Sequence, residues 1–422
     1  MLHTRLLPGA IVAFLVLVPV RPSLQSQNPP PAGGQGMFRS STALVEVDAI
    51  VLDKQGQFAT GLRAEDVLIF EDGKPQKIEQ FYMVTHDPGG SVLSEHAGAT
   101  DYRAQRVFVI VFDEAHLANE SLMRVKEGAI AFIRDRMGPD DVGGVFVNGG
   151  MYKGRLTSDK TELLAGVHAV TPAFDNRQAL LAPFQQFPRI PGERDATRIA
   201  EGARELVDEL GIKACREDRV ECELNGGLQQ VENLIQQKAR LYVRQARILA
   251  DRTAQNLQTV ARGLSRLPGR KTVVFLSEGF YLEDSRGVIE AIAAQAARGG
   301  TTIYSIDGRG LIGAPSPTAD ALSNARGRST AFDTGDDGPN ILTAGTGGFM
   351  VRNIDDMSRA FGMIIRDTST YYVIGYQPAN STMDGKYRRI EVKTKVAGLN
   401  VRARKGYAAV ALPPQERLLG GR

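Results

Sequence analysis

Cysteine and histidine are scarce: two Cys and five His in 422 residues. So few thiol and imidazole ligands exclude a disulfide-stapled miniprotein, an iron–sulfur ferredoxin and an array of zinc ribbons. Neither sign of charge dominates. Against 51 Lys and Arg stand 48 Asp and Glu, and a net charge of +3 does not point to nucleic acid. Phosphate-binding loops are missing too. GRK at 269–271 is not part of a G-x-x-x-x-G-K-[ST] loop, and Gly308-x-Gly310 lacks a third glycine and follows a late strand, so no nucleotide is expected. Ser277-Glu278-Gly279 follows a strand without the G-x-S-x-G elbow of a serine hydrolase. His116 stands near Asp113 and Glu114, as a general-base pair would, and equally as an ordinary loop histidine would. No catalytic residue is assigned, and the chain is read as a non-enzyme.

A long apolar run is also lacking. LLPGAIVAFLVLVPV (6–20) is interrupted by Pro8 and Pro19, and a spanning helix needs roughly 20 apolar residues. With His3 and Arg5 ahead of it, the run reads as a secretory signal over residues 1–26, with Ser23 and Ser26 near the cleavage point. The alternative is an uncleaved segment that keeps the protein at a membrane. Residues 27–37, rich in Pro, Gly and Gln, read as a flexible spacer. A secreted or periplasmic location follows, where Cys215 and Cys222 can form a disulfide; two free thiols are the alternative. Closing so short a loop contributes about 2–3 kcal/mol in an entropy model.

What is present is an ordinary globular composition, 42% apolar and 23% charged, long enough for two or three domains. Residues 38–86 are β-rich. TALVEVDAIVLD (42–53) alternates apolar and polar residues, and VLIFEDG (67–73) and KIEQFYMV (77–84) follow around the Asp72-Gly73 turn. Residues 87–104 read as a linker. From 105 to 370 strands and helices alternate. RVFVIVF (106–112), DVGGVFVNGG (141–150), TVVFLSEGF (272–280), TTIYSID (301–307) and GGFMVRN (347–353) are the strands, with GRLT (154–157) a short edge strand. Apolar stripes mark helices at 120–137, 287–300 and 355–367. This alternation predicts a mostly parallel α/β sheet with helices on both faces. Residues 310–346 read as an irregular loop. A helical insertion over about 175–268 contains a 37-residue pattern at 228–264, pairing with 196–212, with the two cysteines at its tip. Residues 371–412 are β again: YYVIGY (371–376), then a hairpin of 386–396 and 399–407 through Ala397-Gly398. They are expected to pack with 38–86 in a small sandwich-like unit, leaving 413–422 as a tail.

In open α/β sheets ligands bind beyond the carboxyl ends of the strands. Three strand ends carry acids here: FDEAH with Asp113, Glu114 and His116; LSEGF with Ser277 and Glu278; and Asp307 before Gly308. Carboxylates gathered at one edge suit a hard divalent cation, Mg²⁺ or Ca²⁺. Plain polar caps at strand ends are the other reading.

The order of these motifs resembles the von Willebrand factor type A (VWA) domain, and more closely the secreted VWA-related proteins known chiefly from Acidobacteria. The resemblance rests on VEVDAIVLDKQGQFATGLRAEDVLIFEDGKPQKIEQF (45–81), GRKTVVFLSEGF (269–280), YYVIGYQP (371–378) and DGKYRRIEVKTKVAGLNVRARKGY (384–407). It implies a Rossmann-like VWA fold and binding of a protein or cell-surface partner through a metal-ion-dependent adhesion site. The family's first strand ends in D-x-S-x-S. Here Asp113 matches the Asp, but Ala115 and Leu117 replace both serines, Glu278 stands in the later Asp position, and Thr171 is a weak match to the family threonine. The implied adhesion site is therefore degenerate. Its candidate ligands are Asp113 and Glu278, then Glu114, His116 and Asp307, and its partner face is Asp113, Glu114, His116, Ser277 and Glu278. An inert structural component of the envelope and a metal-assisted hydrolase are the alternatives.

Overall fold

The computed structural model describes residues 44–86, 92–94, 106–280, 286–311 and 337–414. The expected signal and spacer lie outside these residues, as do the linker apart from 92–94 and the tail beyond 414. The N-terminal segment gives β1 (Val45–Leu52), β2 (Val67–Glu71), β3 (Lys74–Gln76), β4 (Ile78–His86) and β5 (Val92–Ser94). The middle gives β6 (Val107–Phe112), α1 (Asn119–Asp135), β7 (Val142–Val147), β8 (Gly150–Met151), α2 (Lys160–Ala169), α3 (Arg177–Leu181), α4 (Glu193–Ala200), α5 (Arg204–Glu217), α6 (Arg219–Leu224) and α7 (Leu228–Leu264). It continues through β9 (Lys271–Ser277), α8 (Arg286–Arg298), β10 (Thr301–Asp307), α9 (Asp337–Thr346), β11 (Met350–Val351) and α10 (Met357–Ser369). The C-terminal segment gives β12 (Thr370–Tyr376), β13 (Tyr387–Thr394), β14 (Asn400–Ala403) and β15 (Gly406–Ala408).

The central sheet runs β11-β10-β9-β6-β7-β8, parallel except for β8. Counted from β6, this is the doubly wound order 3-2-1-4-5-6, whose direction of winding reverses between β6 and β9. β6 is apolar throughout, and so is the middle of β9 (273–276), because both faces are covered. Phe108, Ile110 and Phe112 of β6, with Val274 and Leu276 of β9, pack against α1, α2 and α10. Val109 and Val111, with Val273 and Phe275, pack against the last turns of α7 and against α8 and α9. The period of two thus assigns each strand residue to one of two helical layers.

The two ends of the chain meet in a second body. β14-β1-β12-β4-β5 form one antiparallel sheet and β15-β13-β2-β3 another. Val45, Val47, Ala49 and Val51 of β1 meet Val67 and Ile69 of β2, with Ile374 and Tyr376 of β12 and Ile390 of β13 in the same core. Inside it the Tyr376 and Tyr407 hydroxyls both donate to buried Glu71 Oε2, at 2.7 and 2.9 Å. That satisfies a carboxylate oxygen which would otherwise be costly to bury.

The insertion has its own core, in which Leu206, Val207 and Leu210 of α5 face Val231, Ile235, Ala239 and Tyr242 of α7. Cys215 and Cys222 are joined by a disulfide between α5 and α6. At about 1.5 Å per residue α7 is roughly 55 Å long. Its first half belongs to the insertion core and its last turns to the central sheet. No described helix is long and apolar enough to cross a membrane.

Four expectations are corrected. The edge strand beside β7 is β8, and Thr157 makes only an isolated bridge to Gly143. The expected 386–407 hairpin does not close: β13 pairs with β2 and β15, while β14 crosses to β1 in the other sheet. Gly398 does turn the chain, with φ +81°, but both strands find better-buried partners elsewhere. The stretch 310–346 is not wholly irregular, since α9 occupies its end and buries Leu342 against the sheet. The expected helix 196–212 is split into α4 and α5 at Gly202, whose φ is +103°.

Candidate functional site

β6 and β9 end side by side at the point where the winding reverses. Asp113 is the first residue past β6, and its N–H donates to Leu276 O of β9 at 2.9 Å. The chain then turns at once: His116 and Leu117 N–H donate back to Asp113 O at 3.0 and 2.9 Å. This turn points the Asp113 carboxylate inward, where it is 3% exposed. Thr253 Oγ1 of α7 donates to Oδ1 at 2.6 Å, and Ser277 Oγ at the end of β9 donates to Oδ2 at 2.6 Å. His116 Nδ1 lies 3.2 Å from Asp113 Oδ1 and 3.1 Å from Thr253 Oγ1. Both neighbours can accept, so the tautomer that fits carries its proton on Nδ1. Gly279 N–H donates to Ser277 Oγ at 2.9 Å and leaves the hydroxyl proton for Asp113.

Burial alone would push the Asp113 carboxyl up. The His116 ring beside it and the bonds from His116, Ser277 and Thr253 outweigh burial and hold it below the usual carboxylate range. Glu114 moves the other way. Burial and the nearby Asp113 charge raise it, although Asn148 N–H donates to its Oε2 at 3.0 Å.

Glu278 turns from this cluster to the start of α1. Its Oε1 accepts from Ala118 N–H at 2.9 Å. Ala118 has no side chain able to cap the helix, so a carboxylate from β9 supplies the negative charge that a helix N-terminus favours. Asp307, at the end of β10, is occupied by Arg309: Nε and Nη2 lie 2.9 and 2.6 Å from Oδ1 and Oδ2. Arg124 of α1 braces the following turn by donating to Gly308 O at 2.6 Å.

The five candidate ligands therefore do not converge. Asp113 and His116 meet, whereas Glu114, Glu278 and Asp307 are each engaged elsewhere. Among the described residues no group of three or more His, Cys, Asp or Glu side chains is placed to hold a metal ion. Ala115 and Leu117 are 3% and 1% exposed and pack inward, so the turn brings no hydroxyl in their place. A cation at Asp113 would have to displace two hydroxyl donors and an imidazole, and the donor set does not fit Mg²⁺ or Ca²⁺ as it stands.

The expected partner face also divides. Asp113, His116 and Ser277 are buried at 3%, 3% and 0% exposure, while Glu114 and Glu278 are only half-buried. Of these five, Glu114 and Glu278 are the partly exposed ones, and Glu114 keeps its Oε1 buried without a hydrogen bond. Sequence reasoning missed Thr253, which donates to Asp113 rather than ligating a metal, whereas Thr171, the candidate for the family threonine, is exposed after α2. The signal for Thr253 was a lone threonine on the apolar stripe Leu249, Ala250, Leu257. No family model matches this chain, and no curated protein matches it.

Proposed function

We propose that the chain is an exported, non-enzymatic interaction module of VWA type, which holds a protein or cell-surface partner at the edge where β6 and β9 end. The observation that carries this reading is the 3-2-1-4-5-6 order of the central sheet with Asp113 one residue beyond its first strand. The Cys215–Cys222 disulfide favours an oxidising compartment, secreted or periplasmic. On this reading the adhesion site is degenerate: two hydroxyls and an imidazole saturate Asp113, and the partner meets Glu114 and Glu278 without a bridging metal. A basic partner side chain is the natural complement of those carboxylates.

The burial of Asp113, His116 and Ser277 favours a second reading, in which this edge is inert and the chain is a structural component of the envelope. Affinity capture separates the two, using wild-type bait beside Glu114→Lys and Asp113→Asn baits. The proposal expects a partner lost with Glu114→Lys and kept with Asp113→Asn. Identical recovery with all three baits would establish the inert reading. Calorimetric titration with Mn²⁺, Mg²⁺ and Ca²⁺ is the companion measurement: binding that Asp113→Asn abolishes would restore the metal bridge.

A further inference from the structure

Where the sandwich meets the α/β body, a small cavity is lined by His86, Arg106, Arg270, Thr272, Thr368 and Tyr371, with Val107. None of these residues is acidic. Their donors are unequally satisfied. Arg106 is matched by Asp141, with Nε–Oδ1 and Nη2–Oδ2 at 2.7 and 2.6 Å. Thr368 Oγ1 donates to Ile365 O at 3.1 Å. Arg270 is less well served. Its guanidinium lies over the Tyr371 ring, 4.4 Å from the centroid, and Nη2 donates to Tyr304 Oη at 3.1 Å. Nε is 3.5 Å from Asp48 Oδ2, and both Nε and Nη1 are buried without a hydrogen bond.

His86 is the sharper case. It is 6% exposed, stacked on Tyr371 with ring centroids 6.3 Å apart, and neither ring nitrogen has a hydrogen-bond partner. The Ser369 backbone lies close enough to favour its charged form without making that bond. Unpaired buried donors on two basic residues, around one space and with no carboxylate in its wall, call for an acceptor.

We propose that this cavity binds a single halide ion, chloride in the native setting, held by Arg270 Nε and Nη1, the His86 ring and the Thr272 hydroxyl. The space is of the order of one water molecule, too small for the oxygens of phosphate or sulfate. Water is the competing occupant, because a neutral imidazole nitrogen and the threonine hydroxyl oxygens can accept its hydrogens; it would give neither an anomalous peak nor a chloride dependence. A halide accepts from the guanidinium, imidazole and hydroxyl groups alike.

The ion would staple the two bodies together, because His86 and Tyr371 belong to the sandwich sheet while Arg270 and Thr272 belong to the start of β9. It also couples to protons. Charge on the His86 ring is opposed first by burial, then by Arg106 and Arg270, and favoured by the Ser369 backbone and Asp141, with the net effect of holding it below the ordinary histidine value. Asp48 reaches the same place through Arg270, and Tyr371 stacks without charge. A bound anion adds to the favourable side, so binding tightens as pH falls through the histidine titration.

Two measurements on the full chain test this. Crystals soaked in sodium bromide should show an anomalous peak within hydrogen-bond reach of Arg270 Nη1 and the His86 ring. In solution, chloride replaces gluconate at fixed ionic strength. Each tenfold rise above the dissociation constant should raise Tm by about 1–3 °C, more at pH 5 than at pH 8. Thr272→Val, which preserves shape, should weaken the apparent halide affinity at least several-fold. His86→Phe, which preserves the stack on Tyr371, should abolish the halide dependence. No peak in the cavity, peaks on surface arginines and lysines alone (an adventitious ion only), or a Tm that ignores chloride in the wild type would overturn the proposal. So would a chloride response unchanged in both variants.

Discussion

The hydroxyl of Thr253 donates to Asp113 Oδ1 across 2.6 Å and so ties the middle of a 37-residue helix to the end of the central strand. Asp113 carries a charge in a place with almost no water, and Thr253 is one of the groups that make this tolerable. Thr253→Val keeps the shape and removes the donor. Hydrogen bonds to charged groups contribute about 1.5–3 kcal/mol, so the variant should lose stability in that range in urea unfolding. Thr253→Ser, which restores the hydroxyl, should recover most of it.

Acid should dismantle the same cluster. The folded pKa of Asp113 is depressed below the value of about 3.9 for an unfolded aspartate. The unfolded state therefore binds the proton first as pH falls. Stability from this group is fully present above pH 4 and is lost as pH drops through the folded pKa. Denaturation midpoints measured from pH 6 down to pH 2 should fall less steeply for Asp113→Asn than for the wild type. Equal slopes would mean that the carboxylate is not held by its neighbours.

Much of this framework was legible in sequence, and the reasons differ by element. VFVIVF in β6 is apolar without a break and rich in β-branched and aromatic residues, as a strand covered on both faces is, and the pattern for α7 matches its observed span residue for residue. Local signals failed where the outcome depends on distant partners. The turn at Gly398 was visible, but nothing near it told β13 to pair with β2 and β14 with β1. α9 was hidden by a composition, DGPNILTAGT, that is poor in helix formers, although Pro339 in its first turn is a usual start. At the site, the strand pattern puts Asp113 and Glu278 just past β6 and β9, but it does not tell whether the acids converge. Whether a carboxylate faces a metal, a hydroxyl or a helix terminus depends on the arrival of α1 and α7. Neither Ala118 nor Thr253 announces that in its own sequence neighbourhood.

Lys271 makes the opposite pH argument. It opens β9 at 1% exposure, and its Nζ donates to the carbonyls of Leu267 and Gly269 at 2.7 and 2.8 Å. Burial pushes its ammonium down to about 8, with Asp48 opposing weakly. An unfolded lysine titrates near 10.4. Between pH 8 and 10 the unfolded chain therefore holds more protons, and stability should rise with pH across that window, by about 1–2 kcal/mol. The buried tyrosines Tyr304 and Tyr371, both raised by burial, limit the window from above. Lys271→Met should flatten the rise, whatever it does to stability at neutral pH.

Gly348 sits where β11 joins β10, and a Cβ there would run into the carbonyl oxygen of Ile303. Backbone cannot give way as a side chain can. Gly348→Ala should cost about 3 kcal/mol or more, at the upper end for overpacking. The loss should appear first as faster hydrogen exchange of Ser305 N–H, which donates to Phe349 O at 3.1 Å. Gly263→Ala, whose Cβ meets open space in the last turn of α7, is the control and should be neutral or mildly stabilising.

The disulfide lends itself to a spatially resolved test. Cys215 and Cys222 close a short loop between α5 and α6, at the end of the insertion remote from Asp113 in sequence. Removing such a crosslink costs about 2.5 kcal/mol in the entropy model. The cost should fall unevenly, because Leu206, Leu210 and Cys222 pack on the first half of α7 while its last turns are pinned to the sheet by Leu257, Val260 and Leu264. In Cys215→Ser/Cys222→Ser, amide exchange should accelerate over α5, α6 and residues 228–246 and stay unchanged over 254–264 and β9. If protection fell equally along the whole of α7, the helix would be one cooperative unit. The insertion could then transmit strain directly to Thr253 and, through it, to Asp113.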